Sequence, residues 1–459
     1  MIMIKNFISN FLNINICIRL NVFIIIALHS MCISSPYYEA KLIIETTSDW
    51  TSIEFAKQKI ICLDFTRNFD EGDRIRVKPF KIDKKPYDST KVVTEYKILL
   101  PDAFYQNDTL VIKKGDIGYT KVQISDPNAY TILFWINDTN ICDDPRNVKR
   151  FPISFRTLKE VGIYSKPIKV FRPSVEPLVL TFYYPWYKTW HRGGKQITRH
   201  TPKLGFYNSA DTSVIISHIE LAKNAGIDGF IISWFGIGSF TDSVAQIMIP
   251  HLEKNKLKFT IYLESCDSLK QFIDIKKYLW KYFFNSGAYL HSSGKPVLFI
   301  YERVPKKIRN ELIPKIANDI FIISHGNTFS EINQNEGIHL YLPILSTSEL
   351  DSINQLASII AHYHNKIFVA TVYPGFDNRP SRFPGVEGRF IDREGGNFYR
   401  GAWEAAMASN PDWVAIISFN EWGEATEIEP SLELGDQYLK STKDYIAKFK
   451  KNRSSFNRN

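Results

Sequence analysis

Cysteine is scarce: the chain has five in 459 residues, and two of them, Cys17 and Cys32, fall near the N-terminus. A dense disulfide framework is therefore excluded as the source of its stability. Cys62 and Cys142 are candidates for one bridge, and Cys266 is expected to be unpaired and buried. No Gly-x-Ser-x-Gly elbow is present, which argues against a serine esterase. No pair among His191, His200 and His325 has His-x-x-x-His spacing, so no metal site is expected. No Asp-x-Asp pair suggests a metal-bound nucleotide sugar. Nor does any nucleic-acid motif accompany the formal net charge of +9. That charge is diffuse, apart from Lys448, Lys450, Lys451 and Arg453, which read as the solvated end of the last helix.

Long apolar runs are confined to the first 35 residues. Lys5 and Arg19 precede the run Leu20 to Leu28, and the small-residue stretch Cys32-Ile33-Ser34-Ser35 follows. That order is the n-region, h-region and cleavage site of a secretory signal. Phe7 to Ile18 is also apolar, so an uncleaved signal anchor is the alternative, although Arg19 interrupts a clean span of about 20 residues. A secreted or ER/Golgi-lumenal protein is expected, with Asn107, Asn137 and Asn452 as glycosylation acceptors. Nothing points to nucleic acid or to a further membrane span. A monomer is expected.

Residues 36–172 alternate short runs of β-branched and aromatic residues with turn signals. The runs are Lys41–Thr47, Ile60–Phe65, Arg74–Ile82, Thr94–Leu100, Thr109–Ile112, Lys121–Ile124, Tyr130–Ile136 and Phe151–Thr157. Such spacing predicts a small all-β, sandwich-like domain, and no catalytic constellation lies in it. Pro167, Pro173 and Pro177 mark a boundary. From 173 to 447 the pattern changes to eight apolar strand-like runs, with helical patterns between most of them. The runs are Leu178–Tyr183, Gly229–Ser233, Phe259–Glu264, Val297–Tyr301, Ile320–Ser324, Ile338–Leu342, Ile367–Val372 and Val414–Phe419. Continuous apolar strands suit a parallel sheet covered by helices, and this length suits an α/β fold, the (β/α)8 TIM barrel. A doubly wound sheet is the alternative, but no Gly-rich loop follows the first strand. Residues 448–459 are read as a basic tail.

Barrel enzymes build their sites at the C-terminal ends of the strands. Those ends carry Tyr183, Tyr184, Trp186 and His191; Trp234; Glu264; Tyr301 and Glu302; His325; Tyr341; Tyr373, Asp377 and Arg379; and Asn420, Glu421, Trp422 and Glu424. The eighth end is the richest. Glycosidic cleavage needs one carboxylic acid for the leaving oxygen and a second carboxylate for the other face or a neighbouring hydroxyl. Glu421 and Glu424 fit those two tasks. Asn420 is expected to bind a sugar hydroxyl, Trp422 to form an apolar wall, and Gly423 to permit a tight turn. Glu427 and Glu429 read as solvated carboxylates. Aromatic residues make up 14% of the chain, enough to supply flat surfaces for sugar rings.

Residues 178–445 resemble glycoside hydrolase family 99, the endo-α-1,2-mannosidases and endomannanases. The likeness rests on Phe182-Tyr183-Tyr184-Pro185-Trp186-Tyr187, Ala225-Gly226-Ile227-Asp228-Gly229, Ser233-Trp234, Ile261-Tyr262-Leu263-Glu264, Lys295-Pro296-Val297, Tyr301 and Pro374-Gly375-Phe376-Asp377. It also rests on Asn420-Glu421-Trp422-x-Glu424-x-Thr426-x-Ile428-Glu429-Pro430. The family motif there is Asn-Glu-Trp-His-Glu-Gly-Thr-Gln-Ile-Glu-Pro, so Gly423, Ala425 and Glu427 depart from it. The resemblance implies a retaining mechanism in which Glu421 acts on the substrate's 2-hydroxyl and Glu424 is the acid and then the base. It implies that Glu264, Tyr184, Trp234 and Tyr301 line sugar subsites, with a mannose-containing glycan as substrate and no metal or organic cofactor. A non-catalytic glycan-binding barrel, a different α-glycanase and a polysaccharide-assembly enzyme are the competing readings.

Overall fold

The computed structural model describes strand segments between Tyr37 and Ser154, and residues 172–456 apart from 193–194, 327–334, 342 and 384. These residues form two compact units, each with its own architecture. The expected leader and Cys142 lie outside the described residues, and so does the expected Cys62–Cys142 pairing.

The first unit contains two antiparallel sheets. Its strands are β1 (Tyr37–Thr46), β2 (Trp50–Phe55), β3 (Ile61–Cys62), β4 (Phe80–Asp83), β5 (Val92–Pro101), β6 (Asn107–Lys114), β7 (Thr120–Ser125), β8 (Ile132–Asp138) and β9 (Val148–Ser154). One sheet has the order β3-β5-β1-β7-β8 and the other β4-β2-β6-β9. Period-two patterning produces a buried face. Leu42 and Ile44 of β1 stand opposite Ile124 and Val122 of β7, and all four are buried. β2 has no counterpart among the expected strands; its two aromatic ends, Trp50 and Phe55, enclose the polar Thr51 and Ser52, which blurs the alternation.

The second unit is a closed parallel barrel. Its strands are β10 (Leu178–Tyr183), β11 (Gly229–Trp234), β12 (Lys258–Leu263), β13 (Lys295–Ile300), β14 (Phe321–His325), β15 (Gly337–His339), β16 (Ile367–Val372) and β17 (Trp413–Ile416). They pair in the order β12-β11-β10-β17-β16-β15-β14-β13, and the pairing of β12 with β13 closes the ring. The barrel strands are buried almost throughout, as a sheet covered on both faces requires.

Outside them lie α1 (Thr212–Asn224), α2 (Phe240–Asn255), α3 (Leu269–Tyr282), α4 (Thr347–Tyr363), α5 (Asn397–Ala408) and α6 (Gln437–Phe456). Caps fix several starts. Asp211, Ser239, Ser268 and Ser346 each accept a backbone N–H of the first turn, and Ser346 with Glu349 forms a capping box. The last of these begins α4 five residues before the apolar periodicity does. Between β13 and β14 the chain makes only a wide helical turn, Ile308–Leu312, and a short helix, Ile313–Ile316.

The last helix, α6, runs through the basic segment to Phe456, but that end is not wholly solvated. Helical spacing puts Ile446, Phe449 and Arg453 on one face, and all three are buried. Lys450 pairs with Asp228 at 2.5 Å. Arg453 approaches Asp412 at 3.8 Å. Asp412 gathers the lower end of the barrel. Its carboxylate accepts from Arg172 Nε (2.9 Å), His362 Nε2 (2.8 Å) and the Phe368 amide (2.8 Å), in full burial. Asp412→Ala leaves His362 Nε2 and the Phe368 amide buried without this acceptor. It should cost about 3–5 kcal/mol in denaturant unfolding; a loss under about 1 kcal/mol would contradict that role.

Candidate active site

The turn after β17 is built from its own hydrogen bonds. The Ser418 amide donates to the Thr426 carbonyl at 2.8 Å, and the Glu429 amide to the Phe419 carbonyl at 2.8 Å. The Glu421 amide donates to Ser418 Oγ at 2.7 Å. Glu421 and Glu424 are thus carried on a closed, pinned loop at the barrel mouth. The residue with positive φ in it is Ala425 (49°), not Gly423. The expectation that Gly423 makes the turn possible is therefore corrected: its backbone needs no glycine. Its amide instead donates to Glu421 Oε1 at 3.0 Å, and a Cβ at this position would lie 3.0 Å from that same oxygen.

The two glutamates differ in their surroundings. Glu421 is buried and accepts from the Gly423 amide and, at 3.5 Å, from the Tyr187 hydroxyl. Glu424 Oε2 is buried with no hydrogen-bond donor. Burial raises the pKa of both. Glu421 is pushed well above the usual carboxylate range, by desolvation first and by the Glu424 charge next. Glu424 is pushed up to about 7 by desolvation, while Arg382 and Arg303 pull it back. The pair therefore carries one proton around neutral pH. The Gly423 amide favours the charged form of Glu421, and Arg382 and Arg303 favour that of Glu424, each against the burial that raises both.

Facing them from β12 is Glu264, buried, with Oε1 accepting from Ser233 Oγ at 2.7 Å and Oε2 at 3.9 Å from Arg303. Its pKa is raised by burial against the pull of those two partners. Tyr184 joins Tyr341 through their hydroxyls at 2.7 Å and packs on Trp186 with ring centroids 4.5 Å apart. Tyr341 in turn packs against Tyr301 at 6.1 Å. Asp377 holds Arg379 in a two-point pair at 2.8 and 2.7 Å, and its amide donates to the Glu424 carbonyl at 2.7 Å.

Five residues expected to bind substrate are in the core instead. Tyr183 is buried, with its hydroxyl 3.0 Å from His218 Nδ1. Trp234 faces the helices, donating to Asp242 at 3.0 Å beside Tyr278. Tyr373 is buried, and its hydroxyl bonds the backbone of Leu345. Asn420 is fully buried and turns its amide to Tyr184, accepting from its N–H at 2.7 Å and donating to its carbonyl at 3.2 Å. Trp422 lies beneath the turn, donating to Glu429 at 3.0 Å. Strand alternation explains Tyr183 and Trp234, because successive residues of a strand point to opposite faces, whereas Asn420 and Trp422 lie in the turn after β17 and are drawn inward by their own hydrogen bonds.

Glu427 and Glu429 are not solvated either. Both are buried, Glu427 between His200 (2.7 Å) and Arg393 (2.7 Å), and Glu429 against His218 (3.0 Å). His191, His200 and His325 do not converge, since His325 instead faces Glu302 at 3.7 Å. Sequence reading missed Tyr187, Arg303, Arg382, Tyr207 and His218. Of these, His218 had a signal: a lone His in the apolar stripe Val214, Ile215, Ile219 and Ala222 of α1.

The family model of glycosyl hydrolase family 99 matches residues 191–316 and 337–450, which is more than half of the chain. The chain belongs to glycosyl hydrolase family 99. Glycoprotein endo-alpha-1,2-mannosidase of Rattus norvegicus is 24% identical over 344 residues, covering 60% of this chain and 74% of that protein. The Mus musculus protein of the same name is 24% identical over 382 residues, covering 66% and 82%. The GH99 endo-alpha-mannosidase structure from Bacteroides thetaiotaomicron has a TM-score of 0.54 at 23% identity, covering 61% of this chain and 100% of that one.

As a family 99 member the protein is a glycoside hydrolase, acting on O-glycosyl bonds. The family motif has glycine where this chain has Ala425, and the positive φ of Ala425 gives the physical reason for that glycine. Left-handed backbone costs a non-glycine residue about 1 kcal/mol. Ala425→Gly should therefore raise the denaturation midpoint or leave it unchanged, whereas the same change mid-helix lowers stability; a clear drop would contradict the assigned backbone conformation.

Proposed function

We propose that the protein is a retaining, endo-acting α-mannosidase that cleaves α-1,2-linked or related mannosides with help from the substrate's own 2-hydroxyl. The observation that carries this is the Glu421–Glu424 pair on a single pinned turn, Glu421 buried with donors and Glu424 half-buried with Oε2 undonated. In the first step Glu421 takes the proton from the 2-hydroxyl, whose oxygen bonds to the anomeric carbon. The glycosidic bond breaks, and Glu424 gives its proton to the departing oxygen. A 1,2-anhydro sugar results. In the second step Glu424 takes a proton from water, the water oxygen bonds to the anomeric carbon, and the C1–O2 bond breaks. Glu421 then returns its proton to O2. Two inversions give net retention.

Tyr184, Trp186, Glu264 and Tyr301 line the sugar sites in this reading, with Asp377 and Arg379 at the rim. Residues 36–172 serve as an accessory module to a catalytic unit of 173–447 extended by α6. The signal-like N-terminal segment supports a secretory-pathway location, in keeping with relatives named as glycoprotein mannosidases.

The test is hydrolysis of an α-1,2-mannosyl oligosaccharide followed by NMR from the first turnovers. The α-anomer released as a di- or larger saccharide is the expected product. A β-anomer first product, binding without cleavage, or turnover only with a nucleotide sugar would each overturn the reading.

A further inference from the structure

Behind the catalytic turn lies a buried carboxylate that the mechanism above does not use. Glu429 accepts three hydrogen bonds: from His218 Nε2 at 3.0 Å, from the Tyr207 hydroxyl at 2.8 Å and from the Trp422 indole N–H at 3.0 Å. A carboxylate that accepts only requires the proton on His218 Nε2, and His218 Nδ1 is then free to accept from the Tyr183 hydroxyl at 3.0 Å. Four elements meet in this way: β10, α1, the Tyr207 loop and the turn itself.

The connections reach the reacting groups in two directions. Trp422 sits between Glu421 and Glu424 in the chain, so the orientation of its ring and backbone fixes how both carboxylates leave the turn. Its amide donates to the Tyr187 hydroxyl at 2.9 Å, and that hydroxyl faces Glu421 Oε1 at 3.5 Å. The Asn420 amide, which clamps Tyr184, lies 3.5 Å from the Tyr207 hydroxyl. Burying a carboxylate is costly, and three donors on two oxygens are what make it tolerable here.

We propose that Glu429 is a positioning residue: held by His218, it fixes Trp422 and Tyr207 and so sets the placement of Glu421 and Glu424. The inference rests on reading those two glutamates as the reacting carboxylates. Misplacing a reacting group by about 1 Å costs on the order of 100-fold in rate, with little effect on ground-state binding.

The experiment compares wild type, Glu429→Gln and Tyr207→Phe as full chains, by steady-state kinetics on the α-1,2-mannoside and by hydrogen–deuterium exchange. Glu429→Gln should lower kcat about 100-fold with KM changed less than about threefold. Tyr207→Phe, which removes one donor, should lower kcat about tenfold in the same pattern. Exchange should rise in the peptide covering 418–426 and stay unchanged in β11, β12 and β16. Unaltered kcat in both variants, or exchange raised equally throughout the barrel, would show a merely structural carboxylate and overturn the proposal. Should Glu429→Gln not fold, Tyr207→Phe decides the matter by the same two readouts. If wild type leaves the mannoside uncut, the functional reading fails by itself, and the exchange pattern still decides whether Glu429 holds the turn.

Discussion

Glu424→Gln should lower kcat/KM by about 1,000-fold while the barrel stays folded, because the amide can neither donate the proton to the leaving oxygen nor accept one from water. The wild-type rate should fall above about pH 7, where Glu424 loses its proton. A leaving group that departs without protonation, such as fluoride, should recover part of the first step. The same variant carries a stability signature. The folded pKa of Glu424 lies above its ordinary value, so the native state holds more protons than the unfolded chain between about pH 4.5 and 7. Stability from this group is fully present below that window and is lost as pH rises through it. Glu424→Gln should therefore melt a few degrees higher than wild type at pH 8, and no higher at pH 4.5. Near-normal turnover, or equal melting temperatures at pH 8, would remove Glu424 from the acid role.

Glu421→Gln should cost a comparable factor, about 1,000-fold, for a different reason: the 2-hydroxyl then has no base to accept its proton. The dependence on the substrate is the sharper measurement. A 2-deoxy or 2-O-methyl mannoside should not be cleaved by wild type, because it lacks the attacking oxygen or its proton. Wild-type turnover of either compound would exclude participation by the 2-hydroxyl and point to a protein nucleophile. In that case Glu264 is the next carboxylate to test.

The barrel was readable because its strands are continuous apolar runs and its helices have apolar faces. β10 and β16 match their expected limits residue for residue, and so does α1. The eighth strand ends at Ile416, three residues sooner than its apolar run, because Ser418 and Phe419 are already bonded into the turn. Glu421 and Glu424 were nominated from the requirement for two carboxylates at a strand end, and the structure puts both on the turn that follows β17. Which aromatics face the cleft was not. Tyr183 and Tyr184 are neighbours in sequence, yet one packs in the core against Phe230 and the other reaches the mouth. Only the register of β10 decides between them. The burial of Glu427 and Glu429 was equally hidden, since their partners His200, Arg393, Tyr207 and His218 come from distant segments.

The turn that carries Glu421 and Glu424 also constrains the order of mutational steps between this chain and the family motif. The motif has a side chain at the place of Gly423 and a glycine at the place of Ala425; here the glycine stands two residues earlier. A Cβ introduced at 423 would press on Glu421 Oε1 unless the turn shifts, and Ala425 already occupies a backbone region that resists such a shift. Introducing glycine at 425 first makes the turn adaptable; introducing a side chain at 423 first displaces Glu421. The two single replacements should therefore be non-additive in a double-mutant cycle.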